Sequence, residues 1–218
     1  MANLQSQRRA MVHFGKLLHE RGYVAATDGN LSVRLDEQSI LVTPTGVSKG
    51  MMRPQDLLVV DCTGRKLSGA RNVSSEIALH LLIYSLRNDV NAIVHAHPVV
   101  ATGYAAAGIT LDTALVSEAF IGLRALPLAR YATPGTPELS EAVRSFVCDH
   151  EAILMANHGV ITYAEDLQHA YMRLELVEHF AMISLVTRLL GQQHPLAPQD
   201  LEKLATLCRP KPGFSPYY

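Results

Sequence analysis

The chain has 218 residues, 48% hydrophobic and 18% charged, which is enough to bury a core and most simply one domain. Nineteen Lys and Arg against twenty Asp and Glu leave a net charge of -1, so no basic excess collects nucleic acid or an anionic membrane surface, and neither is expected as a partner. Three widely spaced cysteines (Cys62, Cys148 and Cys208) make neither a disulfide framework nor a zinc ribbon; with no secretion signal and no run near the roughly 20 apolar residues of a membrane span, a soluble cytoplasmic protein is expected.

Taken in chain order, residues 4–21 read as an amphipathic helix, with Met11, Phe14, Leu17 and Leu18 in phase and Gly22 as its stop. Short extended runs follow at 30–35, 40–43 and 57–61, and Asp61-Cys62-Thr63-Gly64 reads as a hairpin turn. A helix is predicted over 75–87, with Ile77, Leu81 and Tyr84 on one face, then a strand over 92–97 that Pro98 helps to end. A helix near 99–107 and a short apolar run at 125–128 come next. Thr136-Pro137 caps a helix to about residue 148. Two apolar strands, 152–155 and 160–162, flank Asn157-His158-Gly159; a long helix over 166–190 stops at Gly191, and the Pro-rich end holds a short helix and a tail. Strands interrupted by helices, without strict βαβ alternation, predict an α/β fold with a mostly antiparallel central sheet.

His95 and His97 stand at i and i+2 on a strand, so their side chains leave one face about 7 Å apart. Such a pair either converges on a metal ion or merely lines a core. His158, in a turn between two apolar strands, supplies a third imidazole, and three protein ligands with an open position are the pattern of a catalytic zinc site. Glu76, near a helix start, is a carboxylate able to ligate a metal or move protons, or simply to favour the helix dipole. Ser74-Ser75 form either an anion pocket with the free amides of that helix or an ordinary cap. Two further turns, Thr27-Asp28-Gly29-Asn30 and Thr43-Pro44-Thr45-Gly46, offer glycines for close backbone approach, with Asn30 and Thr45 as side-chain donors.

In this order, T-D-G-N-L-S at 27–32, T-P-T-G at 43–46, S-S-E at 74–76, H-A-H-P at 95–98 and A-N-H-G at 156–159 resemble the class II aldolase/adducin family, most closely its L-fuculose-phosphate aldolase branch. The likeness covers roughly residues 8–190. It implies a single three-layer domain over 1–218, with a core at 8–190 and a short helix and tail at 191–218. It further implies a homotetramer with active sites at subunit interfaces, acting on a phosphorylated sugar. His95, His97 and His158 would bind Zn2+ (or Mn2+ or Co2+), and Glu76 would transfer a proton and stand as a fourth ligand. Gly29, Asn30, Thr45, Gly46, Ser74 and Ser75 would hold the substrate phosphate. The reaction implied cleaves a ketose 1-phosphate, L-fuculose 1-phosphate or a related deoxy-ketose phosphate, to dihydroxyacetone phosphate and an aldehyde. A divalent ion would stabilise the enediolate left when the carbon–carbon bond breaks.

The sequence departs from the pattern at one point. Fuculose-type enzymes place a tyrosine near the segment that here reads Ala114-Leu115-Val116-Ser117-Glu118. Glu118 can take over as the second acid/base, or Tyr131 or the tail tyrosines Tyr217 and Tyr218 can reach in. Other readings on the same scaffold are a sugar-phosphate 4-epimerase, dehydratase or decarboxylase. A non-catalytic adducin-like interaction protein ranks last, because all three histidines and the glutamate are present.

Overall fold

Period-two alternation along the central strands sends their apolar residues to two faces of one sheet, and each face is covered by helices. The computed structural model describes residues 2–123 and 125–207. The strands are β1 (Asn30–Arg34), β2 (Ser39–Val42), β3 (Leu58–Asp61), β4 (Lys66–Ser68), β5 (Ala92–Ala96), β6 (Leu128–Ala129), β7 (Ala152–Met155) and β8 (Gly159–Ala164). The helices are α1 (Ala2–Glu20), α2 (Ile77–Leu86), α3 (Val99–Ala107), α4 (Ser117–Leu123), α5 (Pro137–Arg144), α6 (Leu167–Leu189) and α7 (Pro198–Leu207). The sheet order is β4-β3-β2-β1-β5-β8-β7-β6, antiparallel throughout except for β6 on β7.

On one face Leu31, Val33, Val94 and Ala96 pack with Met11 and Leu18 of α1 and Leu174 and Val177 of α6. On the other, Ile93, Ile161 and Tyr163 pack with Leu79 and Ile83 of α2 and Leu139 and Val143 of α5. The result is the expected three-layer α/β fold around a mostly antiparallel sheet. Among the described residues no helix is long and apolar enough to cross a membrane.

Several boundaries differ from the sequence expectation, each for a local reason. The helix expected from residue 75 begins at Ile77, because Ser74 turns the chain first: its carbonyl accepts from the Ile77 amide at 3.2 Å and its hydroxyl from the Glu76 amide at 3.3 Å. Glu76 is therefore the N-cap residue rather than part of the first turn. The helix expected to about residue 148 ends at Arg144. The carbonyls beyond it are taken by other partners: Arg87 donates to Val147, Cys148 and His150, and the Tyr163 hydroxyl to Val147 and His150. The apolar run at 125–128 yields only the two-residue β6. The exposed edge strand β4 and the seven-residue α4 were not anticipated. The long helix is α6, with Asp166 as its N-cap accepting from the His169 amide. The expected short C-terminal helix is α7, while Cys208, Tyr217 and Tyr218 lie outside the described residues.

Candidate active site

Strand pairing alone brings four of the singled-out segments to one end of the sheet. Asn30 opens β1 directly opposite His95 on β5. The Leu31 amide donates to the Thr43 hydroxyl at 3.1 Å, so the end of β2 is adjacent, and Pro44 bridges to Val73, which leads into Ser74. His97 follows β5. His158 is delivered by the tight β7–β8 turn, where Asn157 adopts a left-handed φ of 54° and Met155 pairs with Gly159.

There His95, His97 and His158 place one nitrogen each within 4.8 Å of one another. The Nε2 atoms of His95 and His97 are 3.1 Å apart. Glu76 closes the group, with Oε2 3.4 Å from His95 Nε2 and Oε1 3.0 Å from His158 Nε2. His95 is almost wholly buried, and its Nδ1 donates to the Val160 carbonyl at 2.8 Å. A carbonyl can only accept, so the proton of the neutral ring sits on Nδ1 and Nε2 presents a lone pair toward Glu76 Oε2. Two electron-pair donors facing each other in a buried space call for a cation between them. His158 Nδ1, buried without a hydrogen-bond partner, is a further unused polar atom there. Three imidazoles and a carboxylate suit zinc or a similar divalent ion. The residues fit such a group.

The electrostatics agree. Burial holds the His95 imidazole down to about 3 and keeps His97 below its ordinary value, so both stay neutral as ligation requires. Burial pushes the Glu76 carboxyl up, but the hydrogen bonds from His158 and the Asn30 amide and the polar faces of the adjoining imidazoles together outweigh it and hold the group well below the usual carboxylate range. Asp28 stands 3.6 Å from His97 Nδ1, where it can orient that ring from behind.

The segments expected to hold a phosphate lie alongside. Gly29 has φ +72°, and a β-carbon on it would stand 2.7 Å from the His95 carbonyl oxygen, so only glycine fits. Gly46, at φ +69°, has open space where a side chain would be. The Thr45 amide donates to Asn72, and Thr45, Gly46 and Ser75 are exposed, with Ser74 half-buried. Asn30 also reaches the carboxylate. It is buried, and its amide donates to Glu76 Oε2 at 2.6 Å, so it serves the carboxylate directly. Glu118 is exposed on α4, which packs against α6 and α7. Tyr131 is exposed after β6.

Two residues that sequence reasoning missed belong to this region. Lys49 is 1% exposed, and its ammonium donates to the carbonyls of Thr27 (2.8 Å) and Val47 (2.9 Å), tying the two glycine turns together. Burial holds its pKa down to about 8. His80 lies behind Asn30 at 2.6 Å. A signal existed for it, since Glu76, His80 and Tyr84 are spaced by four along one helix face, and Asn30 and Ser32 by two along one strand face.

The chain matches the family described as Class II Aldolase and Adducin N-terminal domain over residues 9–185. It is 33% identical to a 5-deoxy-D-ribulose 1-phosphate aldolase of Bacillus thuringiensis serovar kurstaki, covering 93% of this chain and 95% of that one. It is 34% identical to a 3-oxo-tetronate 4-phosphate decarboxylase of Haemophilus influenzae, covering 82% and 86%. Its fold superposes on a solved L-fuculose 1-phosphate aldolase with a TM-score of 0.83 at 32% identity, covering 92% and 94%.

Proposed function

The chain belongs to the class II aldolase and adducin family, and from that premise and the geometry of its site we propose that it is a metal-dependent lyase cleaving a ketose 1-phosphate to dihydroxyacetone phosphate and an aldehyde. The observation that carries this reading is the Glu76 carboxylate set against three converging imidazoles, 3.0 Å from His158 and 3.4 Å from His95. The substrate proposed is a deoxy-ketose 1-phosphate, a class supported by the relatives' 5-deoxy-ribulose and fuculose phosphates.

His95, His97 and His158 would hold a divalent ion, zinc by preference with manganese or cobalt as alternatives. Such an ion withdraws charge from the substrate's carbonyl and neighbouring hydroxyl oxygens. Glu76, anchored through Oε2 by Asn30, moves a proton to or from the substrate carbon that gains charge when the carbon–carbon bond breaks. The amides and hydroxyls at Gly29, Thr45, Gly46, Ser74 and Ser75 bind the phosphate and so fix the reacting end of the ketose. Glu118, exposed on α4, stays in the proposal as the second acid/base, offered to the site of a neighbouring subunit.

We further propose a cytoplasmic homotetramer with sites at subunit interfaces. Exposed Val186, Leu189 and Leu190 near the end of α6 support an association surface, and the free thiols of Cys62 and Cys148 support a reducing compartment. A coupled assay for dihydroxyacetone phosphate across a panel of ketose phosphates tests the activity. The decarboxylase relative gives one second reading, in which carbon dioxide leaves a 3-oxo acid phosphate in place of the aldehyde. Gas release without dihydroxyacetone phosphate from any ketose would favour it over our first reading.

A further inference from the structure

Behind the carboxylate runs a buried chain of hydrogen bonds that the proposed reaction does not itself use. Asn30 Nδ2 is 2.6 Å from Glu76 Oε2, Asn30 Oδ1 is 2.6 Å from His80 Nε2, and Ser32 Oγ lies 2.7 Å from His80 Nδ1 and 2.8 Å from the Tyr84 hydroxyl. Asn30, Ser32, His80 and Tyr84 are all buried. We propose that His80 is a positioning residue, whose ring, fixed by Ser32 and Tyr84, holds the Asn30 amide in the one orientation that anchors the Glu76 carboxylate.

The direction of every bond follows from donor chemistry. An ionised carboxylate only accepts, so Asn30 must turn its NH2 toward Glu76; the opposite amide flip would press a carbonyl oxygen on a carboxylate oxygen at 2.6 Å. Asn30 Oδ1 then faces His80 and can only accept, so His80 carries its hydrogen on Nε2. Burial holds that imidazole down to about 4, so the ring is neutral and Nδ1 is a bare acceptor. Ser32 therefore donates to Nδ1, and the lone pair left on its oxygen accepts from Tyr84. Each group has one consistent role, and no group in the row is spare.

The consequence lies at Glu76. Asn30 holds Oε2 from behind, so the oxygen it leaves to take and return a proton is Oε1, which lies 3.0 Å from His158 Nε2. If the ring carried its hydrogen on Nδ1, the bare Nε2 would face Asn30 Oδ1, and the amide would lose its reason to point at Glu76. An amide cannot pass a proton along such a row without changing its own bonding, so the chain orients and does not relay.

This inference rests on the proposed function for its catalytic readout but has a second readout that does not. His80→Gln can reproduce both contacts, its NH2 facing Asn30 and its carbonyl facing Ser32, whereas His80→Phe fills the space with neither. Against a ketose 1-phosphate that the wild type cleaves, kcat is expected to fall at least 30-fold in His80→Phe and no more than about fivefold in His80→Gln. KM and bound metal should stay within twofold of wild type in both. In parallel, hydrogen exchange of the Asn30 side-chain amide, followed by NMR, should quicken at least tenfold in His80→Phe and hardly at all in His80→Gln. Should His80→Phe not fold, Ser32→Ala, which removes the donor to Nδ1 together with the acceptor of the Tyr84 hydroxyl, is read in its place and is expected to shift kcat and Asn30 exchange in the same direction. Equal losses of kcat and equal exchange rates in the Gln variant and in the Phe or Ala variant would overturn the inference while leaving the proposed reaction intact. A wild type idle on every ketose phosphate, with Asn30 exchange still separating the variants, would sink the reaction and leave the orienting role standing.

Discussion

A β-carbon placed on Gly159 would stand 2.5 Å from Cδ2 of His97 and 2.7 Å from the Ala96 carbonyl oxygen, closer than atoms in folded proteins approach. Gly159 is thus the floor on which the His97 ring lies, in the same turn that delivers His158. Gly159→Ala must push His97 aside or part β8 from β5. We expect bound divalent metal to fall at least tenfold and stability to drop by about 1–3 kcal/mol, the usual cost of overpacking. Gly103→Ala is the control: its site on α3 is open, and a helical alanine should add about 0.5–1 kcal/mol without touching the metal. Elemental analysis and thermal unfolding of the two variants decide the matter. Full metal occupancy in Gly159→Ala would show that His97 is not held from this side.

Glu76→Gln should keep the fold and the bound metal and lose turnover by roughly 100- to 10,000-fold, the range of a positioned acid/base. The amide nearly preserves shape and can still meet Asn30, but it cannot accept and return a proton. Steady-state kinetics beside metal content check this. Near wild-type kcat in the variant would assign the proton to another group.

The histidine cluster was legible because strand period and turn position are local properties. His95 on β5 and His97 just past its end stand at i and i+2 and so share a face, and a short turn between apolar strands presents His158 at a sheet end. The order of the sheet was not legible, since the pairing of β1 with β5 joins segments about 60 residues apart and depends on loop closure rather than on any local pattern. That pairing is what sets Asn30 beside His95 and within reach of Glu76. Lys49 was missed for a related reason. A lone lysine in Gly46-Val47-Ser48-Lys49-Gly50 reads as a solvated charge, and only the approach of the Thr27 carbonyl from another turn gives it buried partners. The short α4 lacked enough residues to display a helical period.

Lys49→Met should reveal the buried ammonium through the pH dependence of stability. Burial lowers the folded-state pKa from 10.5 to about 8. Between those values the unfolded chain binds the proton and the folded chain does not, so stability rises with pH across this window. The Met variant lacks the group, and the wild type should therefore gain on it from about pH 8 to 10.5, by as much as about 1.4 kcal/mol per pH unit at the steepest. Urea unfolding of both proteins at several pH values measures the difference. A gap that stays flat across the window would mean that the folded lysine titrates like an exposed one.

Substrate phosphate is expected to draw on Ser75 most plainly, because its hydroxyl is exposed at the turn before α2 while that of Ser74 already accepts from the Glu76 amide. No arginine is required in such a pocket: fixed amides, hydroxyls and the start of α2 favour negative charge on their own. A hydrogen bond to a charged acceptor contributes about 1.5–3 kcal/mol, so Ser75→Ala should raise KM for a ketose 1-phosphate roughly 10- to 150-fold. Removing both serines should cost about 2–5 kcal/mol of binding, with some loss of kcat because Ser74 also shapes the turn that carries Glu76. The unphosphorylated ketose never engages these donors, and its slow cleavage should be unchanged in Ser75→Ala. Parallel kinetics on the phosphorylated and free sugars separate the cases. If Ser75→Ala slows both sugars by the same factor, the hydroxyl supports the turn and the phosphate is held by other donors.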